Sequence, residues 1–206
     1  MTAQRAGTRR VPSGVRTLLA TIGLLLLLTG LAGAQRARTL ADKDDSRSAV
    51  DIKSARGVHD RGNDRLAHLI RFHGPISPRN FRNAVQKHGP PGSVCVNIWT
   101  RRKPWEASPN YDVCVTADRN RARLLASVSR HGPKGGVRRI GNASAQLTTP
   151  RRLSIRFDPD LIRRPGRYRW SAHVTTFERG CTRRGCQDVA PRRGRSARTK
   201  LGAPAL

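Results

Sequence analysis

The chain has 206 residues, 41 of them Lys or Arg against 13 Asp or Glu, giving a formal net charge of +28. That length is one domain's worth of chain, enough to bury a genuine core, and it holds no internal repeat of solenoid length. A surface this positive is drawn to polyanions, with an attraction that weakens as salt rises. Arginines outnumber lysines 35 to 6 and are spread through every segment rather than gathered in one stripe. That bias is what GC-rich codons produce, so charge alone does not specify nucleic acid, which enters only as a non-specific partner.

The first residues decide the compartment. Arg5, Arg9, Arg10 and Arg16 precede an apolar run over 17–33, with an unbroken leucine block from Leu24 to Leu28, and Ala32-Gly33-Ala34 follows. A basic start, a short apolar run and an A-x-A end predict a secretory signal peptide over 1–34, cut after Ala34. A retained anchor needs about 20 apolar residues, and Thr17, Thr21, Gly23, Thr29 and Gly30 dilute this run. A lipoprotein needs a cysteine where Ala34 stands, and Val11-Pro12-Ser13-Gly14 lacks the bulky apolar residues of twin-arginine export. The expected location is therefore secreted, extracellular or in the cell envelope, with membrane contact only through the signal segment before cleavage.

Residues 35–48 are polar and charged and read as a flexible leader. A first strand is expected over 49–56, with Val50 and Ile52 on one face, and a second over 66–72, where Leu66, His68 and Ile70 alternate with Ala67, Leu69 and Arg71. Ser77-Pro78 has the form of a helix start, and Gly89-Pro90-Pro91 of a stop, so a short helix is expected over 78–88. Val94, Val96 and Ile98 then alternate with Cys95, Asn97 and Trp99. Tyr111, Val113 and Val115 alternate with Asp112, Cys114 and Thr116. An antiparallel hairpin that sets Cys95 opposite Cys114 also sets Val96 on Val113, Val94 on Val115 and Ile98 on Tyr111, so one register satisfies both the apolar face and the sulfur pair. Further strands are expected around Leu124 to Val128, over 137–140, over 145–149, and from Leu153 to Phe157. Asp158-Pro159 caps a single helical turn through Ile162. Tyr168, Trp170, Ala172 and Val174 form the last clear strand, and residues 191–206 read as a disordered basic tail.

About eight short strands with turn signals between them predict an all-β fold. It is a single antiparallel β-sandwich over 49–190 with one short helix; an open β-barrel is the alternative. The four cysteines, Cys95, Cys114, Cys181 and Cys186, allow three disulfide connectivities, and strand phase favours Cys95–Cys114 with Cys181–Cys186. No C-x-x-C pair offers a zinc site, and no metal or other cofactor is expected.

Neither a nucleophile elbow, nor an H-E-x-x-H pair, nor a glycine-rich phosphate loop is present, so no enzyme and no catalytic residue is expected. His59, His68, His73, His88, His131 and His173 read as structural or surface histidines. The acids Glu106, Asp112, Asp158, Asp160 and Asp188 have ion-pair or capping roles available beside so many arginines. The candidate ligand-binding set is Trp99, Arg101, Arg102, Lys103 and Trp105, which combines aromatic planes and cations at one hairpin end. The expected function is a non-catalytic exported protein that associates with the cell envelope or an extracellular polyanion, such as an anionic envelope polymer or polysaccharide, through a basic surface. The alternative is a carbohydrate-binding module using Trp99 and Trp105.

The combination of signal peptide, Val50-Asp51-Ile52-Lys53-Ser54-Ala55, Leu69-Ile70-Arg71-Phe72, the cysteine-bearing hairpin and Tyr168-Arg169-Trp170 resembles a group of uncharacterised exported β-sandwich proteins of high-GC Gram-positive bacteria. That resemblance implies an immunoglobulin-like or carbohydrate-module-like sandwich outside the cytoplasm, and it brings no catalytic residue.

Overall fold

A computed structural model of the protein describes residues 39–46, 48–84, 89–101, 108–118, 123–191 and 195–202. All of them belong to the compact unit Ala37–Leu206. The expected signal peptide, 1–34, lies outside the described residues, as do Arg102, Lys103 and Trp105 of the candidate set.

Among the described residues the chain forms eleven strands: β1 (Leu40–Ala41), β2 (Ile52–Asp60), β3 (Arg65–Phe72), β4 (Ser93–Trp99), β5 (Tyr111–Ala117), β6 (Leu124–His131), β7 (Val137–Thr149), β8 (Arg152–Phe157), β9 (Arg167–Thr176), β10 (Cys186–Ala190) and β11 (Ala197–Lys200). They join in the order β1-β2-β3-β8-β7-β6-β5-β4-β9-β10, with β11 also on β9, and every pairing is antiparallel. The 13-residue β7 is the bend in this path: up to Ala143 it pairs with β6, and from Ser144 it pairs with β8. The path therefore folds over on itself as a barrel-like sandwich, all-β as expected and compatible with either form of it. Where the ends approach, β2 packs against β10 and β11. The link there runs through side chains: the Ile52 amide donates to Asp188 Oδ2 at 2.6 Å, and Thr199 Oγ1 lies 3.5 Å from the Gly57 carbonyl oxygen.

The hairpin register is the expected one, with Cys95 opposite Cys114, Val96 opposite Val113, Val94 opposite Val115 and Ile98 opposite Tyr111. Both disulfides form, Cys95–Cys114 and Cys181–Cys186. The smaller loop turns through Gly185, whose φ of +82° suits a residue without Cβ. Val94, Val96, Ile98, Val113 and Val115 are fully buried, as are Tyr168 and Trp170 on β9. Each such side chain contributes about 1.5–3 kcal/mol by leaving water.

Four expectations need correction. The helix over 78–88 is a single 3-10 turn, Pro78–Phe81, with 85–88 outside the described residues. The backbone beyond it is drawn into tertiary bonds instead: Gly92 N–H donates to Phe81 O at 2.8 Å and Ala84 N–H to Phe177 O at 2.7 Å, while Phe81 anchors in the core. The segments 137–140 and 145–149 are one strand, because the bend at β7 keeps pairing partners on both sides. The leader is not free of the domain: Leu40–Ala41 adds to the open edge of β2, and Ser48 is buried with its hydroxyl 2.7 Å from Thr176 Oγ1. The tail supplies β11, since the first half of β9 otherwise presents an unpaired edge, which Ala197–Lys200 covers.

β11 also completes a polar knot inside the core. His68 of β3 is fully buried, stacked on Phe157 at 6.0 Å and edge-on to Trp170 at 4.6 Å, with Nε2 3.0 Å from the Tyr168 hydroxyl. Burial pushes its imidazole down to about 3. Trp170 Nε1 donates to Thr199 Oγ1 at 2.9 Å. Opposite stands Gly57. A Cβ there would lie 2.6 Å from Thr199 Oγ1 and 2.9 Å from Trp170 Nε1.

Two outcomes are expected. The His68 proton is bound by the unfolded chain below its ordinary 6.5 and by the folded chain only near 3. Stability from this residue is thus present above about 6.5 and lost as the pH falls towards 3, a slope that His68→Phe removes in denaturant titrations across that window. Gly57→Ala costs about 1–3 kcal/mol by the same measurement, since the side chains of Thr199 and Trp170 must shift to admit the methyl group.

Candidate functional site

The strand phase that buries Tyr168 and Trp170 turns Arg167 and Arg169 outward. Register then decides what stands beside them. Trp99 of β4, Arg169 of β9 and Arg198 of β11 form one cross-strand row. In the next row Arg167 faces Lys200. Arg101 follows Trp99 off the end of β4. Trp99, Thr100, Arg101, Arg167, Tyr168, Arg169 and Arg198 line a cleft of about 280 Å³. Trp99 is 8% exposed, so it packs into the cleft wall rather than standing clear of it.

A second cleft of about 460 Å³ shares Thr100 and Arg101 with the first and adds Arg130, His131 and Arg163. It lies at the same end of the sandwich, where the β4–β5, β6–β7 and β8–β9 connections meet. All three described non-glycine residues with positive φ, Asp64, Arg163 and Arg164, belong to turns at this end.

The arginines there divide into two kinds. Arg164 binds Asp64 through two bonds of 2.9 and 2.7 Å and Asp160 at 2.7 Å; its guanidinium, with His59 on the other side, holds the Asp64 carboxyl down at about 2. Arg65 pairs with Asp158 at 2.9 Å. Arg101, Arg167, Arg169 and Arg198 have no carboxylate partner among the described residues. Like charges directly opposed across a strand pair are unfavourable, and Arg169 on Arg198 is such a pair, as are Arg167 on Lys200, Arg130 on Arg138 and Arg71 on Arg152. Guanidinium forks match the geometry of phosphate, sulfate and carboxylate oxygens, and an anion bridging them would remove the repulsion.

Of the expected site residues, the structure brings Trp99 and Arg101 to this cleft. Arg167, Arg169 and Arg198 are the members that sequence reasoning left out. The phase of Tyr168 and Trp170 was a signal for the first two. No local signal existed for Arg198, because its strand forms only on the edge of β9.

The acids have structural partners. Asp158 Oδ1 accepts from the Asp160 amide at 2.9 Å as the cap of the turn Pro159–Ile162, and Asp112 Oδ2 lies 2.7 Å from His131 Nε2. Glu106 lies outside the described residues. All four cysteines are in disulfides. Among the described residues one group has metal-ligand spacing: Asp45, Asp51 and Asp188 each bring an oxygen within 4.8 Å of the others.

The opposed arginines generate a prediction in which stability and binding move in opposite directions. Arg198→Glu sets a carboxylate against Arg169 and is expected to raise stability by about 0.2–1 kcal/mol in thermal or denaturant unfolding, while weakening retention on an anionic matrix.

No family model, no curated protein and no solved structure matches this chain, so the cleft is read from its own chemistry.

Proposed function

We propose that the protein is exported through a cleaved signal peptide and acts outside the cytoplasm as a non-catalytic module that binds an anionic polymer of the cell envelope or its surroundings. The observation that carries this reading is the cleft formed by Arg101, Arg167, Arg169 and Arg198, whose guanidinium groups have no carboxylate partner among the described residues and include a directly opposed like-charge pair. A fold that holds such groups together at a cost to itself has them ready for a ligand with several negative charges. Two disulfides fit an oxidising compartment. No helix among the described residues is long and apolar enough to cross a membrane.

The alternative, a carbohydrate-binding module, needs an aromatic face for a sugar ring. Trp99 is 8% exposed and offers little of one, which favours the electrostatic reading.

The test is salt-dependent retention on heparin or on purified teichoic acid. Replacing Arg167, Arg169 and Arg198 together by Ala should move elution to clearly lower salt. An equal loss of charge at the exposed Arg179, Arg183 and Arg184 should move it less. No retention of the wild type even at low salt, or equal shifts in the two triple variants, would overturn the reading. Binding to neutral glycans that survives high salt and is lost in Trp99→Ala would favour the carbohydrate module instead. For export, the protein recovered from the medium should begin at Gln35 when its N-terminus is sequenced.

A further inference from the structure

In a chain with 41 basic residues, the one group of acids at metal-ligand spacing among the described residues lies at the seam between β2 and β10. Asp51 immediately precedes β2, Asp188 lies within β10, and Asp45 stands on the segment leading into β2. One oxygen from each lies within 4.8 Å of the others. Asp51 is 2% exposed and Asp188 7% exposed, whereas Asp45 is open to solvent. Asp188 is held by the backbone, Oδ2 accepting from the Ile52 amide at 2.6 Å and Oδ1 from the Val189 amide at 2.7 Å, which leaves each oxygen a second lone pair.

Acids in proximity do not by themselves make a site. Asp51 supplies the further observation. Its Oδ2 accepts one bond, from the Ser46 amide at 3.2 Å, while its Oδ1 is shut off from water and has no hydrogen-bond partner. A buried carboxylate oxygen beside other carboxylates lacks a positive group; with no cation there, burial raises the Asp51 carboxyl to about 7, and a buried charge that persists is ordinarily paired or bound to metal. Among the described residues no Lys, Arg or His forms an ion pair with Asp45, Asp51 or Asp188; the nearby His73 faces Asp44 at 4.0 Å.

We propose that Asp45, Asp51 and Asp188 bind a calcium-class divalent cation that clasps the seam of the sandwich. The spacing suits this ion. Two oxygens on one calcium at its usual bond lengths stand at most about 4.6–5.2 Å apart, so the whole observed spread fits within its reach. The ligands are all hard oxygens. Asp45, at the open side, leaves room for water to complete the shell. The cation would tie the segment before β2 to β10 at the point where the sheet path closes. This proposal stands apart from the basic cleft and does not depend on it.

The full mature chain with its disulfides intact is stripped with a chelator and titrated with calcium chloride near neutral pH, followed by calorimetry and thermal unfolding. One cation per chain is expected, with a dissociation constant of about 10⁻⁴ to 10⁻³ M, the range of extracellular calcium modules. At tenfold excess over that constant the midpoint should rise by about 3–6 °C. Magnesium should bind more weakly, since it sheds water reluctantly. Asp45→Asn, at an exposed position, should keep the midpoint of the stripped protein and weaken calcium binding at least tenfold. Absence of calorimetric heat and of any midpoint rise in the wild type would overturn the proposal and leave a proton shared by Asp51 and Asp188 as the occupant. Unchanged binding in Asp45→Asn would overturn it as well, by placing the cation elsewhere.

Discussion

The structure depends on how a sheet folded over at β7 is shut on its far side. β2 and the pair β10 and β11 do not continue a ladder into one another. They meet through Gly57, whose missing Cβ lets Thr199 and Trp170 come against the β2 backbone, and through Asp188, which receives the Ile52 amide. Around Gly57 the indole of Trp170, the hydroxyl of Tyr168 and the imidazole of His68 fill the space between the sheets, and each polar atom that has a partner finds it across strands far apart in sequence. The seam is thus a set of polar contacts in an otherwise apolar interior, where an unmade bond is costly.

Closing the sandwich this way has an electrostatic consequence. Inward residues on β4, β5, β8 and β9 are nearly all apolar, so the charge those four strands carry is confined to their outward positions. With so few acids available, several arginines necessarily face other basic residues across the sheet. Acids that do lie at the crowded end are consumed locally, by Arg164 and Arg65. Of the remaining guanidinium groups, one set gathers where β4, β9 and β11 run side by side, and Arg56, Arg71 and Arg152 line another cleft across β2, β3 and β8. The acids that escape pairing gather at the opposite kind of place, buried in the seam at Asp51 and Asp188. The positive cluster is thus a product of strand register, whereas the acidic one joins β10 to the segment before β2, where burial beside Asp188 raises the Asp51 carboxyl to about 7.

Much of the fold was legible beforehand because alternation is a local property. The phase of Val94, Val96 and Ile98 against Val113 and Val115 fixed which sulfur faced which, since a shift of one residue would have turned every valine outward. The same phase reading put Tyr168 and Trp170 in the core. It failed where tertiary partners override the local pattern. Residues 78–88 have helix punctuation, yet after the single turn Pro78–Phe81 the Ala84 amide bonds to Phe177 and the Phe81 carbonyl to Gly92. The cleft was half legible for a related reason: Trp99 and Arg101 adjoin in sequence, whereas Arg198 reaches them only across two strand pairings.

Sequence by itself determined the basic charge, the all-β class, the Cys95–Cys114 hairpin register as the favoured one and the inward faces of β4, β5, β8 and β9, because each follows from composition or from a period of two within a few residues. Only the tertiary structure decided that an Arg/Gly/Pro-rich tail becomes a strand, that His68 lies in the core without charge, and that three aspartates meet at a seam. Those outcomes depend on contacts between residues well separated in the chain, from Ala197 with Trp170 to His68 with Tyr168 and Ile52 with Asp188, and no local preference encodes which distant edge a segment will find.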